Sequence, residues 1–365
     1  MNLVKDLQNG VTTLDKLQEE LGIKVKLYDD RIVLTYDQIE SPKAHPYVLQ
    51  ARGLILDKAF NVLCQPFDRF FNFGEVYDHE QMINWDKAEC YEKVDGSLIK
   101  IYYDGSLWQI ATRGTAFAES SVGGFPLTFQ QLVLKALALS FEDFQVLSNK
   151  VLTKGYTYLF DVTSRENRVV THYEGYKLWY LATRCNKTGE YLRTEKAVQQ
   201  LGAQLINVFK FKSSQNCLGT AAQLPDLQEG YVVYQDGRPI CKVKSPAYVT
   251  VHHLRGEGLS PKRIATLVLG NEQQEYLKYF PEDAGYILPY EEALKNIEQQ
   301  LEEISKDVYD IESQKDFALE VKGLPFSAVL FQWRKVGGSI TAVLHQQPLN
   351  YKLKLLLSYL GEKDE

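Results

Sequence analysis

The chain has 365 residues, 45% hydrophobic and 24% charged, with a formal net charge of −6. That length exceeds one compact core and predicts two domains, while the composition excludes a disordered chain. No run of eighteen apolar residues occurs, which excludes a helical membrane span, and the acidic balance excludes a uniformly basic nucleic-acid binder. The N-terminus, MNLVKDLQNG, has charges in its first six residues and no apolar core of a secretory signal, so a cytoplasmic protein is expected. Cys64, Cys90, Cys185, Cys217 and Cys241 are odd in number and form no CxxC. Reduced thiols are expected, not a disulfide framework or a zinc ribbon.

Strand patterns dominate the first 248 residues. Alternating or β-branched runs at 24–28, 32–36, 54–56, 98–103, 107–111, 156–161, 177–182, 231–234 and 240–244 predict strands. Helical patterns intrude at 11–20 and 128–139. Asp104-Gly105 and Asp236-Gly237 each stand between two strand runs, which predicts two tight hairpins. Residues 1–248 are therefore expected to form an α+β domain built on antiparallel sheets. After residue 250 the strand signals stop. Ser260-Pro261 reads as an N-cap with Pro at the first helical position, and Gly270 as a stop. Leu294, Ile297, Leu301, Ile304, Val308 and Ile311 recur at spacings of three and four, an apolar seam on a long helix. Residues 325–335 and 348–360 add helices, with Gly337-Gly338 as a break. Residues 249–365 are expected to form an all-α domain. They hold 13 Lys+Arg against 18 Asp+Glu, a balance of −5, while residues 1–248 hold 28 against 29, a balance of −1. Nucleic acid would need a local basic groove; Arg255, Lys262 and Arg263 are candidates.

Neither a GxxxxGK[ST] loop nor a GxGxxG between strand and helix is present. Glu92-Lys93-Val94-Asp95-Gly96-Ser97 stands before the first hairpin and places an amine on a turn. With a two-residue turn at Asp236-Gly237, Tyr231 faces Lys242 and Glu229 faces Lys244. Those four side chains then share one polar face, a pattern suited to a charged ligand. An idealised first hairpin puts Arg113 opposite Gly96, close to Lys93. Phe70 and Phe71 read as core. A lysine nucleophile must be neutral, yet an unperturbed lysine is neutral in only about 1 part in 2,500 at pH 7. Lys242, Lys244 and a divalent metal are expected to lower the pKa of Lys93 and to stabilise a phosphate under attack. Asp161, Glu229 and Asp95 are the candidate metal ligands.

The order Lys93-Val94-Asp95-Gly96-Ser97, Phe160-Asp161, Glu229-Gly230-Tyr231-Val232-Val233, Lys242-Val243-Lys244 resembles the covalent nucleotidyltransferases: RNA ligases, DNA ligases and mRNA-capping enzymes. Arg52-Gly53-Leu54-Ile55, Arg69-Phe70-Phe71-Asn72 and Asn167-Arg168-Val169-Val170 narrow the likeness to the RNA ligase 1 family, the phage tRNA-repair type. So does Lys244-Ser245 leading into a strand-free tail, where DNA ligases and capping enzymes usually append a β-rich domain. The resemblance implies an adenylyltransferase fold and ATP-dependent joining of RNA 5′-phosphate and 3′-hydroxyl ends through lysyl-AMP and RNA-adenylate. Repair of broken RNA such as tRNA is the implied setting, with the helical domain serving substrate specificity. It implies Lys93 as nucleophile, Tyr36 near the adenine, and Arg52 and Arg69 on the triphosphate. Asp161 and Glu229 would orient metal-bound water or the ribose, and Lys242 and Lys244 would contact the α-phosphate, with Mg2+ or Mn2+. Asp161 departs from the family's Glu by one methylene, and Arg69 stands where a relative has Lys. The alternatives are a capping-type guanylyltransferase that uses GTP and a non-catalytic RNA-binding protein with a vestigial pocket. No obligate protein partner is evident.

Overall fold

The computed structural model describes all residues except 124, 226, 257–258, 325 and 363–365. The chain divides into two units, Met1–Thr250 and Val251–Glu365. The expected boundary at 248/249 falls inside one helix, Pro246–Arg255.

The first unit is α+β. A four-stranded antiparallel sheet runs Ile23–Leu27, Arg31–Tyr36, Arg52–Asp57, Val62–Cys64 in spatial order. A second sheet orders Tyr191–Leu192, Lys177–Cys185, Tyr156–Thr163, Ser97–Tyr103 and Trp108–Thr112, with Gln204–Leu205 pairing parallel to Lys177–Cys185. A third orders Val208–Phe209, Glu89–Glu92, Gly230–Gln235, Arg238–Lys244 and Phe71–Asn72, the last pairing parallel. The second sheet buries Ile99, Ile101, Trp108, Phe160 and Val162 against the helices Phe129–Leu137 and Phe141–Val151. Thr128 caps the first of these in a full capping box with Gln131, which fixes where it starts.

Both hairpins depart from the expected register. In the first, Tyr103 pairs with Trp108 and Ile99 with Thr112. The turn is four residues long because the Asp104 carboxylate accepts the N–H groups of Ser106 and Leu107, both at 2.9 Å. Arg113 thus falls toward Leu98, two residues from the position opposite Gly96. In the second, Asp236 and Gly237 both take positive φ, 53° and 75°, as a two-residue hairpin turn requires. The ladder then slips: Tyr234 pairs with Pro239 but Val233 with Cys241. Pro239 has no N–H to give the ladder, and the bulge beside it moves every later partner by one. Lys242 therefore pairs with Val232 and Lys244 with Gly230. Tyr231 leaves the expected polar patch; it is buried in the core with Cys90, Val233 and Cys241.

The second unit is helical throughout its described residues, apart from turns. Ser260 caps Pro261–Leu269, and Gly270 closes it. The long helix runs Ala284–Asp307 and buries Ile297 and Leu301, so Val308 is its C-cap and Ile311 lies beyond it. Ser327–Val336 and Leu349–Tyr359 follow; Pro325, the expected first residue of the former, lies outside the described residues. Two of the three candidate basic residues serve packing here. Arg255 lies 4.4 Å from the Phe280 ring centre, and Arg263 donates to the Leu254 carbonyl. Among the described residues no helix is long and apolar enough to cross a membrane.

Candidate active site

Lys93 follows the strand Glu89–Glu92, and its backbone N–H donates to the Gly230 carbonyl at 2.8 Å. That bond seats the lysine beside the strand that begins just after Glu229. Lys93 Nζ donates to Glu229 Oε2 at 2.6 Å, and Lys244 Nζ stands 3.0 Å from Glu229 Oε1. Strict alternation would put Glu229 on the face of Tyr231, in the core. Gly230, at φ +136°, breaks the alternation and turns Glu229 toward the lysines. Only glycine fits there: a Cβ would stand 2.0 Å from the Val243 carbonyl oxygen. Gly96 is needed for a second close approach, since its Cβ would lie 2.7 Å from the Val162 carbonyl oxygen and 3.2 Å from Asp161 Cβ.

These side chains line a cavity of about 210 Å³. Lys93, Asp161, Glu229, Lys242, Lys244 and Arg52 are among its polar lining. Phe67, Phe70, Tyr91, Leu181 and Tyr234 give the same cavity aromatic and apolar walls, suited to a flat ring. Phe70 is both cavity wall and core: it packs on the cluster of Phe67, Leu159, Ala182 and Tyr234, and the Arg52 guanidinium and Lys242 Nζ lie 4.8 and 4.9 Å from its ring centre. Phe71 is buried.

The electrostatics invert one expectation. Burial pulls the Lys93 ammonium down, but Glu229, Asp161 and Asp95 together outweigh it and hold the lysine above its ordinary value. Lys242 is the depressed lysine, pushed down to about 7 by burial and by Arg52, Lys93 and Lys244. Burial pushes the Asp161 carboxyl up to about 6. Glu229 is held below the usual range: burial raises it, but Lys93 and Lys244 prevail.

Three residues sit elsewhere than expected. Asp95 is placed as an acceptor within the protein and does not line the cavity. Its Oδ2 accepts the N–H groups of Val170 and Thr171, both at 2.7 Å, and its Oδ1 accepts the Tyr248 hydroxyl at 2.6 Å. Buried, with both oxygens bonded, it pins the backbone of Val170 and Thr171 to the turn that carries Lys93. Tyr36 does not line the cavity. It is buried, and the guanidiniums of Arg69 and Arg113 lie 4.0 and 4.3 Å from its ring centre. Arg69 lies with it, also away from the cavity walls. Among the described residues Arg69 Nη1 and Arg113 Nε are buried without a hydrogen-bond partner, two orphaned donors that an anion would satisfy.

The metal fit rests on Asp161. Among the described residues its carboxylate has no hydrogen-bond partner, and no cluster of three or more His, Cys, Asp or Glu could hold a metal alone. Magnesium needs no such cluster, because it takes one or two carboxylates and completes its shell with phosphate oxygens and water.

Residues 50–248 match the family described as RNA ligase. A bifunctional polynucleotide kinase/RNA ligase of Autographa californica nuclear polyhedrosis virus is 37% identical over 345 residues, 90% of this chain and 49% of that protein. The chain belongs to the RNA ligase 1 family. It spans about half the length of that viral relative. An RNA ligase of Rhodothermus phage RM378 is 22% identical over 72% of this chain and 73% of its own. Among solved structures, the Naegleria gruberi RNA ligase with PPi aligns at TM-score 0.40 and 15% identity, over 51% of this chain and 57% of that one.

Sequence reasoning passed over further parts of this RNA ligase family site. Lys100 is wholly buried and donates to the Gly53 carbonyl at 2.5 Å, tying the strand after Lys93 to the strand of Arg52; burial pushes it down to about 8. The wall residues Tyr91, Leu181 and Tyr234 carry no polar signal, and only the sheet order brings them together.

Two expected results follow from these placements. Asp95→Ala should leave two N–H groups and one hydroxyl unpaired and cost about 3–5 kcal/mol of stability, read by denaturant unfolding. Its metal requirement, measured where the variant is folded, should stay that of the wild type; a tenfold weaker metal response with unchanged stability would make Asp95 a ligand after all. Asp161→Asn should stabilise the fold. The folded pKa of Asp161, about 6, stands above the unfolded value of about 3.9. Its favourable contribution is therefore complete below about pH 4 and is lost as pH rises through 6. At pH 8 the buried charge opposes folding by up to about 3 kcal/mol, so the variant should melt several degrees higher there, with a smaller gain at pH 5. A lower melting temperature at both pH values would contradict this.

Proposed function

We propose that the chain is an ATP-dependent RNA ligase that joins an RNA 5′-phosphate to a 3′-hydroxyl through lysyl-AMP and RNA-adenylate. The observation that carries the reading is Lys93, 2.6 Å from buried Glu229, in one cavity with Lys242, Lys244, Asp161 and Arg52. Neutral Lys93 Nζ attacks the α-phosphorus of ATP; a P–N bond forms, the P–O bond to pyrophosphate breaks, and the proton leaves Nζ. The RNA 5′-phosphate oxygen then takes the AMP phosphorus and releases the lysine. The 3′-hydroxyl attacks the activated 5′-phosphorus, and AMP departs.

Lys242 and Lys244 offset negative charge at the α-phosphate. Arg52, Arg69 and Arg113 suit the outer phosphates, and the orphaned donors on Arg69 and Arg113 support that assignment. Tyr36 acts through those two arginines by holding their guanidinium planes. Asp161 would hold Mg2+ or Mn2+, which when bound offsets the negative charge that keeps Lys93 protonated. A broken RNA such as a cleaved tRNA, in the cytoplasm, completes the reading, with residues 251–365 serving choice of substrate.

The test is sealing of a 5′-phosphorylated RNA to a 3′-hydroxyl acceptor with ATP or GTP, with and without Mg2+. ATP and Mg2+ should both be required. Labelling of the protein by GTP and not by ATP would replace the reading with a capping-type guanylyltransferase.

A further inference from the structure

We propose that the chain accepts ATP enlarged on its base, and that a second cavity beside the catalytic one houses the added group, a neutral aromatic substituent on the exocyclic amine of the adenine. The inference rests on the ligase reading above and adds a substrate class to the same site.

The first observation is the second cavity itself. Its volume is about 240 Å³, against about 210 Å³ for the catalytic one. The two share Tyr91, Leu181, Ile206 and Tyr234 as walls. None of Lys93, Asp161, Glu229, Lys242, Lys244 or Arg52 lines the second. The cavities therefore meet across neutral side chains, apart from the charges that suit the phosphates.

The second observation is direction. The Lys93 N–H bonds the Gly230 carbonyl, and on the ladder that leads away from it Val232 pairs with Tyr91 and Tyr234 with Glu89. Val232 and Tyr234 share a face, and Tyr91, opposite Val232, lies on it too. Tyr234 is four residues beyond Gly230, about 13 Å along the strand. It lines both cavities, whereas Gly237, in the turn beyond it, lines only the second. The second cavity thus extends away from the nucleophile. With the α-phosphate at Lys93 Nζ, the six-membered edge of the adenine is the part of ATP farthest from the phosphates. RNA joins AMP through the phosphate, and so meets the site on the side of the charged residues.

The third is the chemistry of the walls. Tyr180, Tyr191, Leu205 and Val208 add aromatic and apolar surface to the shared residues. The charged walls are Arg193 and Glu195, and Arg193 already donates to Glu89 at 2.7 Å. A cavity without an unpaired cation does not suit a phosphate, which argues against a nucleotide of the RNA strand. Leu205 and Val208 are 39% and 48% exposed, apolar surface that a ring would cover. Tyr234 is 6% exposed, and among the described residues its hydroxyl has no hydrogen-bond partner. The N–H that links a substituent to the purine would satisfy it.

Intact mass of the full chain after incubation with Mg2+ and either N6-benzyl-ATP or ATP tests this. The N6-benzyl-AMP adduct should form at a rate within about tenfold of the AMP adduct. Val208 lines the second cavity and not the first, and it pairs with Tyr91. Val208→Trp should fill the space beside Tyr91, slow uptake from N6-benzyl-ATP about tenfold and leave uptake from ATP within about twofold of wild type. Leu205→Trp, at another exposed wall, should act in the same direction. Without turnover, N6-benzyladenosine should bind about tenfold more tightly than adenosine, read by calorimetry, and Val208→Trp should remove that advantage. A chain that takes up AMP but rejects N6-benzyl-ATP by more than about a hundredfold would overturn the proposal and leave the ligase reading intact. Uptake of both nucleotides that neither tryptophan changes would also overturn it, since the benzyl group would then lie elsewhere. A wild type that takes up no nucleotide would remove the ligase reading, and the two nucleosides would still decide whether the second cavity takes the ring.

Discussion

Lys93→Ala should abolish transfer of AMP to the protein and yet leave sealing of a 5′-adenylylated RNA largely intact. The first step needs an amine that forms a P–N bond; the last needs only the charges around the phosphate, and Lys242, Lys244 and Arg52 remain. Lys93→Arg should fail equally in the first step, because a guanidinium is not deprotonated in a protein. The contrast between the two substrates separates a lost nucleophile from a collapsed site. If Lys93→Ala still gains AMP at the wild-type rate, another residue is the nucleophile. If it loses both activities while folded, the lysine is also a binding group for the adenylylated strand.

Gly230→Ala should be nearly as damaging, although the residue has no side chain and touches no substrate. Its φ of +136° is one that alanine rarely adopts, and the added methyl would stand 2.0 Å from the Val243 carbonyl oxygen. Relief requires the strand Arg238–Lys244 to move, which displaces Lys242 and Lys244, or Glu229 to turn away from Lys93. A stability loss of about 2–4 kcal/mol and loss of AMP uptake are expected. Gly237→Ala is the control: it lies in the turn at φ +75°, with nothing nearer than Tyr191 Cβ at 3.8 Å. That change should cost about 1 kcal/mol and preserve activity. Equal effects of the two substitutions would show that the broken alternation at Gly230 does not set the site.

The polar residues of the cavity were readable because lysines and a glutamate at a hairpin are unusual enough to stand out. The sheets bring Lys93, Asp161, Glu229, Lys242, Lys244 and Arg52 to one cavity. Register was not readable. It turned on a bulge beside Pro239 and a four-residue loop closed by Asp104, two local events that a hydrophobic pattern does not encode. The short strands Glu89–Glu92 and Val208–Phe209 were also missed, since pieces of four and two residues are too brief to show a period. Asp95 illustrates a deeper limit. A carboxylate two residues from a reactive lysine looks like a metal ligand in sequence, and only the backbone of Val170 and Thr171, 75 and 76 positions away, shows it to be a structural acceptor. Charge was misjudged for the same reason: Lys242 and Lys244 were visible near Lys93, but the closer grip of Glu229 emerged only with the turn at Gly230.

The central claim is that Lys93 becomes lysyl-AMP, and the most direct measurement is intact mass of the full chain after incubation with ATP and Mg2+, followed by peptide mapping of the adduct. The account predicts a gain of one AMP per chain, located on Lys93 and discharged when pyrophosphate is added. A chain whose mass does not change, or an adduct on Lys242 or another residue, would contradict it.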